Sequence, residues 1–451
     1  MTTTLSPTSA DDVLAAIQEA LAQEAPIEIV GGGTKRGWGR PVKSNRILDL
    51  SGLRGVTLYE PDELVLSAKA GTPLDEIETL LAEHKQMLAF EPPDLGAIYG
   101  FPSPLGGEGQ GVRGRPREAS GAFPSPPAPL PQGGRGATLG GVIACNLSGP
   151  RRIKAGAARD HFLGFHAVSG RGEAFKAGGR VMKNVTGYDL AKLICGSFGT
   201  LAVMTEITVK VLPAPEKART VLLLGLDDSD ARDAMAAALN SPHEVSGAAH
   251  LPRKAAARSA VDYVRGAGHA VTALRVEGFG PSVEARCKAL RDLLAGFGAS
   301  EELHTMNSAN LWREIRDVAP LLPDSAAQGA GQAALDLWRL SVPPASGAPI
   351  MASLVFGDRS SGGIANDSYF YDWGGGQIWL AMPPANPVKT AAMIRAAVSS
   401  SGGHATLMRA SEETRETASA FQPEMPAVAA LSQRLKDAFD PKRILNPGRM
   451  K

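Results

Sequence analysis

An α+β protein built in two parts is what this sequence predicts, and three observations carry the prediction. The chain has 451 residues, too many for one ordinary core and enough for two domains with extensions. The stretch Gly136 to Pro213 reads as a compact α+β core, strand-rich and punctuated by tight glycine turns. After Pro213-Ala-Pro215 the texture changes to helices alternating with antiparallel-type strands, the pattern of a second, smaller α+β layer.

The elements follow in order. Ser9-Ala-Asp-Asp12 resembles a capping box with Asp in place of Glu. Val13, Leu14, Ile17 and Leu21 then recur at helical spacing, which predicts an amphipathic helix over Asp11 to Gln23. Ile27 to Val30, Ile47 to Leu50, Val56 to Leu58 and Leu64 to Lys69 read as strands. Thr72-Pro73 offers a cap and an N1 proline for a helix over Leu74 to His84. Phe165 to Ser169 and Ala174 to Lys176 flank Gly170-Arg171-Gly172 as a hairpin, and Leu201 to Val211 is a β-rich run.

In the second half, Val221 to Leu226, Val271 to Glu277, Trp338 to Val342, Ile350 to Phe356 and Ile378 to Met382 are expected as strands. Asp230 to Leu239, Ser282 to Gly296, Pro387 to Ser400 and Gln433 to Phe439 are expected as helices. Tyr369 to Gly376 is an aromatic turn, either a hairpin over the core or a ligand contact.

Phe101 to Gly136 stands apart. Its 36 residues hold nine glycines and eight prolines, and FPSP occurs twice. Such composition buries too little apolar surface to offset ordering entropy, so the segment reads as a disordered low-complexity insert. A Pro-rich docking segment is the alternative.

Two glycine clusters point to an anion. Gly31-Gly32-Gly33-Thr34-Lys35-Arg36-Gly37 follows the strand Ile27 to Val30. Successive unhindered N–H groups can form a nest, Thr34 adds a hydroxyl, and Lys35 or Arg36 adds a cation, so a phosphate is the natural guest. The spacing is GGGT, which differs from the GxGxxG of doubly wound dinucleotide folds. Thr138-Leu139-Gly140-Gly141 is the second cluster, and Gly196-Ser197-Phe198-Gly199-Thr200 turns the chain after it.

These clusters, in this order, are specific to a family. Together with GGGTKRGWG (Gly31 to Gly39) stand FEPPD (Phe90 to Asp94), LSGPRR (Leu147 to Arg152), MKNVTGYDLAKL (Met182 to Leu193), LWRLSVPP (Leu337 to Pro344) and DPKRILNPGRM (Asp440 to Met450). The chain resembles the vanillyl-alcohol-oxidase or PCMH-type FAD flavoproteins and, within them, the FAD-binding E subunits of bacterial glycolate oxidases. The resemblance covers nearly everything except the insert.

The resemblance implies a two-part PCMH-type FAD domain over residues 1-213, with the insert at 101-136. It further implies an α+β cap domain over 214-403 and a segment, 404-451, returning to the flavin. Gly31, Gly32, Gly33 and Thr34 should hold the pyrophosphate, with Thr138, Gly140 and Gly141 on its other side. Gly199, Thr200 and Val203 should line the adenosine end, and Asn446 should lie near the ring. Lys35 and Arg36 stand where many relatives carry a His or Cys bonded to the ring, so noncovalent FAD is expected. A 2-hydroxy acid needs a cation for its carboxylate, and arginine suits it by bidentate geometry. Arg339 and Arg409 are the candidates, with Lys442 and Arg443 behind them.

The implied function is oxidation of glycolate to glyoxylate, beside a second FAD subunit and an iron–sulfur subunit. The implied place is cytoplasmic, with membrane contact through those partners. Two alternatives stay open: a non-catalytic FAD-binding subunit for assembly or electron relay, and a free-standing D-2-hydroxyacid dehydrogenase. His404 sits alone, without a His-rich metal motif around it.

Other chemistries lack support. Net charge is +1, which makes no case for a nucleic-acid or membrane field. The basic run Arg151, Arg152, Lys154 and Arg159 has no interleaved aromatics. Cys145, Cys195 and Cys287 form no CxxC, so no zinc or iron–sulfur site is expected. No basic-then-apolar leader is read at the N-terminus, no apolar run reaches about 20 residues, and no GxSxG elbow occurs.

Overall fold

The computed structural model describes residues 2–99, 136–180, 187–322, 335–356 and 369–450. The insert expected at 101-136 therefore lies outside the described residues, Gly136 excepted, as does most of Met182 to Tyr188.

Among the described residues the first half holds two main sheets and a two-stranded one, Gln86–Met87 with Leu212–Pro213. A small parallel sheet runs Thr3–Leu5, Arg46–Asp49, Glu28–Val30 in spatial order. The helix Ala10–Ala22 packs Val13, Ile17 and Ala20 against it, and the Ser9–Asp12 capping box closes as the sequence predicts. A five-stranded antiparallel sheet runs Val56–Glu60, Val65–Lys69, Ala202–Lys210, Phe162–Ser169, Ala174–Gly178. The predicted hairpin at Gly170-Arg171-Gly172 is its last pair.

The second half is one eight-stranded antiparallel sheet. From edge to edge it runs Ser300–Leu303, Lys217–Leu224, Val271–Gly278, Val245–Leu251, Tyr369–Asp372, Gln377–Met382, Asp336–Ser341, His404–Arg409. Helices Asp228–Leu239, Gly280–Leu293 and Pro387–Ser399 lie on it, as the apolar periodicity predicts.

Four expectations need correction. Ile350 to Phe356 was expected as a strand and is the end of the helix Gly347–Phe356. Ile350, Met351, Leu354 and Val355 are buried while Ala352 and Ser353 are exposed, the i, i+3, i+4 spacing of a helix; in so short an apolar run that spacing is easily read as a strand. Thr72 does not cap the helix Leu74–Glu83; Pro73 is the cap residue, and the Thr72 hydroxyl takes the Gly55 N–H and donates to the Lys69 carbonyl. TLGG is a helix start and not a free turn: Thr138 caps Leu139–Cys145, its hydroxyl accepting the Gly141 N–H. A boundary at residue 404 falls before a strand of the larger sheet; the chain rejoins the small parallel sheet later, where Leu445 bridges to Ile27.

A buried ion network ties the halves together. The Arg275 guanidinium donates to both Glu91 carboxylate oxygens at 2.9 and 3.0 Å. Arg151 donates to Glu277 at 2.8 and 3.0 Å and gives its backbone N–H to Glu91. Burial pushes the Glu277 carboxyl up, but Arg275 and Arg151 outweigh it and hold it down at about 2.

Candidate functional site

The small parallel sheet, the five-stranded sheet and the C-terminal tail enclose a cleft. Its empty space is about 750 Å³, open solvent at the mouth included. Its lining brings together Gly31, Gly32, Gly33, Thr34, Thr138, Gly140, Gly141, Gly199, Val203 and Asn446. These residues are far apart in sequence and were each singled out from it. Thr200, Arg339 and Arg409 do not line it.

Glycine is required where the walls meet. A Cβ on Gly32 would fall 2.0 Å from the Gly136 carbonyl oxygen, so the first glycine loop lies directly against the chain entering TLGG. Gly199 has a φ of +68°, and a Cβ there would approach the Asn446 amide at 3.0 Å. The Asn446 side chain is held at both ends: its oxygen accepts the Ile29 N–H at 2.8 Å and its nitrogen donates to the Phe198 carbonyl at 2.8 Å. It shapes the cleft floor by pinning the tail to the glycine loop. Thr200 lies just beneath, with its hydroxyl on the Ser197 carbonyl.

The cleft is positively charged. Among the described residues, the charged side chains lining it are Lys35, Arg36 and Arg449, and no carboxylate lines it. Arg36 forks onto Glu28 at 3.0 and 2.5 Å, and Arg449 reaches the same carboxylate at 3.7 Å. Three cations against one carboxylate leave two positive charges in a glycine-walled cradle, which fits the diphosphate dianion of FAD. The residues thus fit FAD, and Gly31 to Thr34 and the TLGG segment line the same cleft.

Sequence reasoning missed Phe198, Cys145 and Arg449 as wall residues. Phe198 sits inside GSFGT with a φ of +54°, but nothing in its type announces a wall. Cys145 stays a thiol, because burial pushes its pKa up to about 11.

The carboxylate candidates separate. Arg409 gives its guanidinium to the Leu335 and Ile98 carbonyls at 2.9 to 3.2 Å, a bracing role. Lys442 pairs with Glu24 and Arg443 with Asp437 at the surface. Arg339 differs. Its guanidinium lies 5.4 Å from the Trp38 ring centroid, and among the described residues it has no hydrogen bond or ion pair. Burial, with the nearby charge of Arg152, lowers it to about 10. Arg152 stacks 4.5 Å over Trp373, whose indole donates to the Gly149 carbonyl. The aromatic turn is thus a hairpin of the larger sheet that also faces these cations. Burial and both arginines lower His404 below its usual range. Among the described residues no group of His, Cys, Asp and Glu is placed to hold a metal ion.

Comparison with known proteins agrees with this geometry. A family described as "FAD binding domain" matches residues 2–118, and one described as "FAD linked oxidases, C-terminal domain" matches residues 399–450. The chain is 31% identical over 438 residues to glycolate oxidase subunit GlcE of Escherichia coli K12, covering 97% of this chain and 96% of that one. It is 42% identical over 96 residues to glycolate oxidase subunit GlcD of Bacillus subtilis, 21% of this chain and 20% of that one. Among solved structures it resembles p-cresol methylhydroxylase, with a TM-score of 0.66 and 13% identity over 99% of this chain and 88% of that one. That likeness shows the α+β fold. A cleft built for FAD, and a relative matched from end to end, place the chain in the family of glycolate oxidase subunit GlcE, an FAD-dependent oxidoreductase of the PCMH type.

Proposed function

We propose that this chain is the FAD subunit of a glycolate oxidase complex and takes part in oxidising glycolate to glyoxylate. The observation that carries the reading is the end-to-end similarity to GlcE. Arg339, a cation with no hydrogen bond or ion pair among the described residues, supports it. Bound FAD supplies hydride acceptance from the carbinol carbon and passes electrons onward. The protein supplies the rest. Arg339 is positioned to hold the carboxylate, with Arg152 adding positive charge. A second FAD subunit and an iron–sulfur subunit are the proposed partners. No helix among the described residues is long and apolar enough to cross a membrane, so membrane contact is proposed to come through them.

The test is anaerobic reduction of the purified chain, followed as bleaching of the flavin band near about 450 nm. Glycolate is expected to bleach it. In Arg339→Met the glycolate concentration for half-maximal reduction should rise about 30-fold or more, the loss of one desolvated charge contact. Bleaching only after partner subunits are added would favour the assembly or relay role. Preference for D-lactate in the isolated chain would favour a free-standing dehydrogenase.

Noncovalent FAD is part of the proposal. Acid precipitation is expected to leave the yellow colour in the supernatant, and a yellow pellet would show a covalent link.

A further inference from the structure

The glycine loop offers two cations to an anion, and the structure separates them. Arg36 is committed to Glu28, which Arg449 shares. Lys35 is uncommitted. Its ammonium donates to the Thr34 hydroxyl at 3.1 Å, and a Cβ built on Gly141 would lie 3.4 Å from it. It therefore sits between the two glycine segments, inside the cleft. Among the described residues no carboxylate comes within ion-pair distance of it. A partly buried ammonium without a counter-ion is costly unless a ligand completes the pair.

We propose that Lys35 is the built-in counter-ion of the FAD diphosphate, and that loading of the cofactor is coupled to its protonation. This rests on FAD binding and not on which hydroxy acid is oxidised, so the two readings fail separately.

Few titratable groups face Lys35. The Cys145 thiol, from the helix Leu139–Cys145, is neutral. Asp94 acts from further off and is occupied by the Gly96 N–H. Arg449 donates to the Lys35 carbonyl oxygen from the tail. Tyr99 lies against Gly37, and burial keeps its phenol protonated. Burial in the empty cleft lowers the Lys35 pKa, and Cys145 and Asp94 offset this only in part. A dianion beside the ammonium raises it again. FAD binding then takes up a proton wherever the empty-cleft amine is partly neutral. Affinity falls as pH rises through that window, by at most about tenfold per pH unit for one proton.

The experiment titrates the flavin-free full-length chain with FAD, and with ADP, which carries a diphosphate without a flavin, across about pH 6 to about pH 10. Lys35→Met should weaken both ligands about 30-fold or more at neutral pH and flatten the pH profile. Unchanged affinity for both would overturn the proposal. So would unchanged ADP affinity with a shifted flavin midpoint potential, which would put the charge at the ring. Should Lys35→Met not fold, calorimetry of the wild-type chain in two buffers of different ionisation heat decides. Proton uptake on FAD binding is expected at alkaline pH, and no uptake contradicts the proposal.

Discussion

Gly32→Asp is expected to give a folded chain that carries no flavin. Any Cβ at this position would meet the Gly136 carbonyl oxygen at 2.0 Å, far inside contact distance, and backbone cannot give way as a side-chain tip can. The loop must therefore move off the TLGG segment, and the cradle opens. Aspartate adds a negative charge where the diphosphate is held. The core of the eight-stranded sheet, around Trp338, Leu340 and Ile378, is remote from this contact, so circular dichroism should still report folded protein. Flavin content is the readout. Wild-type flavin content in a folded variant would show that the glycine loop is not the phosphate cradle.

Glu91→Ala is expected to lower unfolding free energy by about 3–5 kcal/mol, the usual cost of leaving one partner of a buried ion pair uncompensated. Glu91 accepts two hydrogen bonds from Arg275, which is 2% exposed, and a third from the Arg151 backbone. Without it two guanidiniums share Glu277 alone. Removing both partners in Glu91→Leu with Arg275→Met should cost less than Glu91→Ala alone, because no unpaired charge remains. Urea unfolding measures both. A loss under about 1 kcal/mol for Glu91→Ala would mark the pair as solvated, as exposed ion pairs are.

Much of the site was legible because glycine and its neighbours leave a short local signature. GGGT, TLGG and GSFGT each mark a place where backbone must come close to something, and their order identified the family. What stayed illegible depends on partners distant in sequence. Nothing in Lys35-Arg36 says which residue pairs with Glu28, eight positions before Arg36. Arg339 and Arg409 look alike on adjacent strands, yet one lies over Trp38, unpaired among the described residues, while the other braces carbonyls. Trp373, in a turn with two readings, proves to be both a hairpin residue and the platform under Arg152. In the fold, the run Ile350 to Phe356 misled because a short, mostly apolar run reads as a strand or a helix alike; only the exposure of Ala352 and Ser353 between buried neighbours shows the helical period.

Hydrogen–deuterium exchange with and without FAD tests the central claim most directly. The cleft is built from backbone, so a cofactor seated in it should slow exchange at the N–H groups that form its walls. Protection is predicted to concentrate in residues 31–36, 138–145, 198–204 and 446–449, with the far edge of the larger sheet, Ser300–Leu303 and Lys217–Leu224, unchanged. FAD-dependent protection that bypassed the glycine loop and the TLGG helix, or that appeared only in the larger sheet, would contradict it.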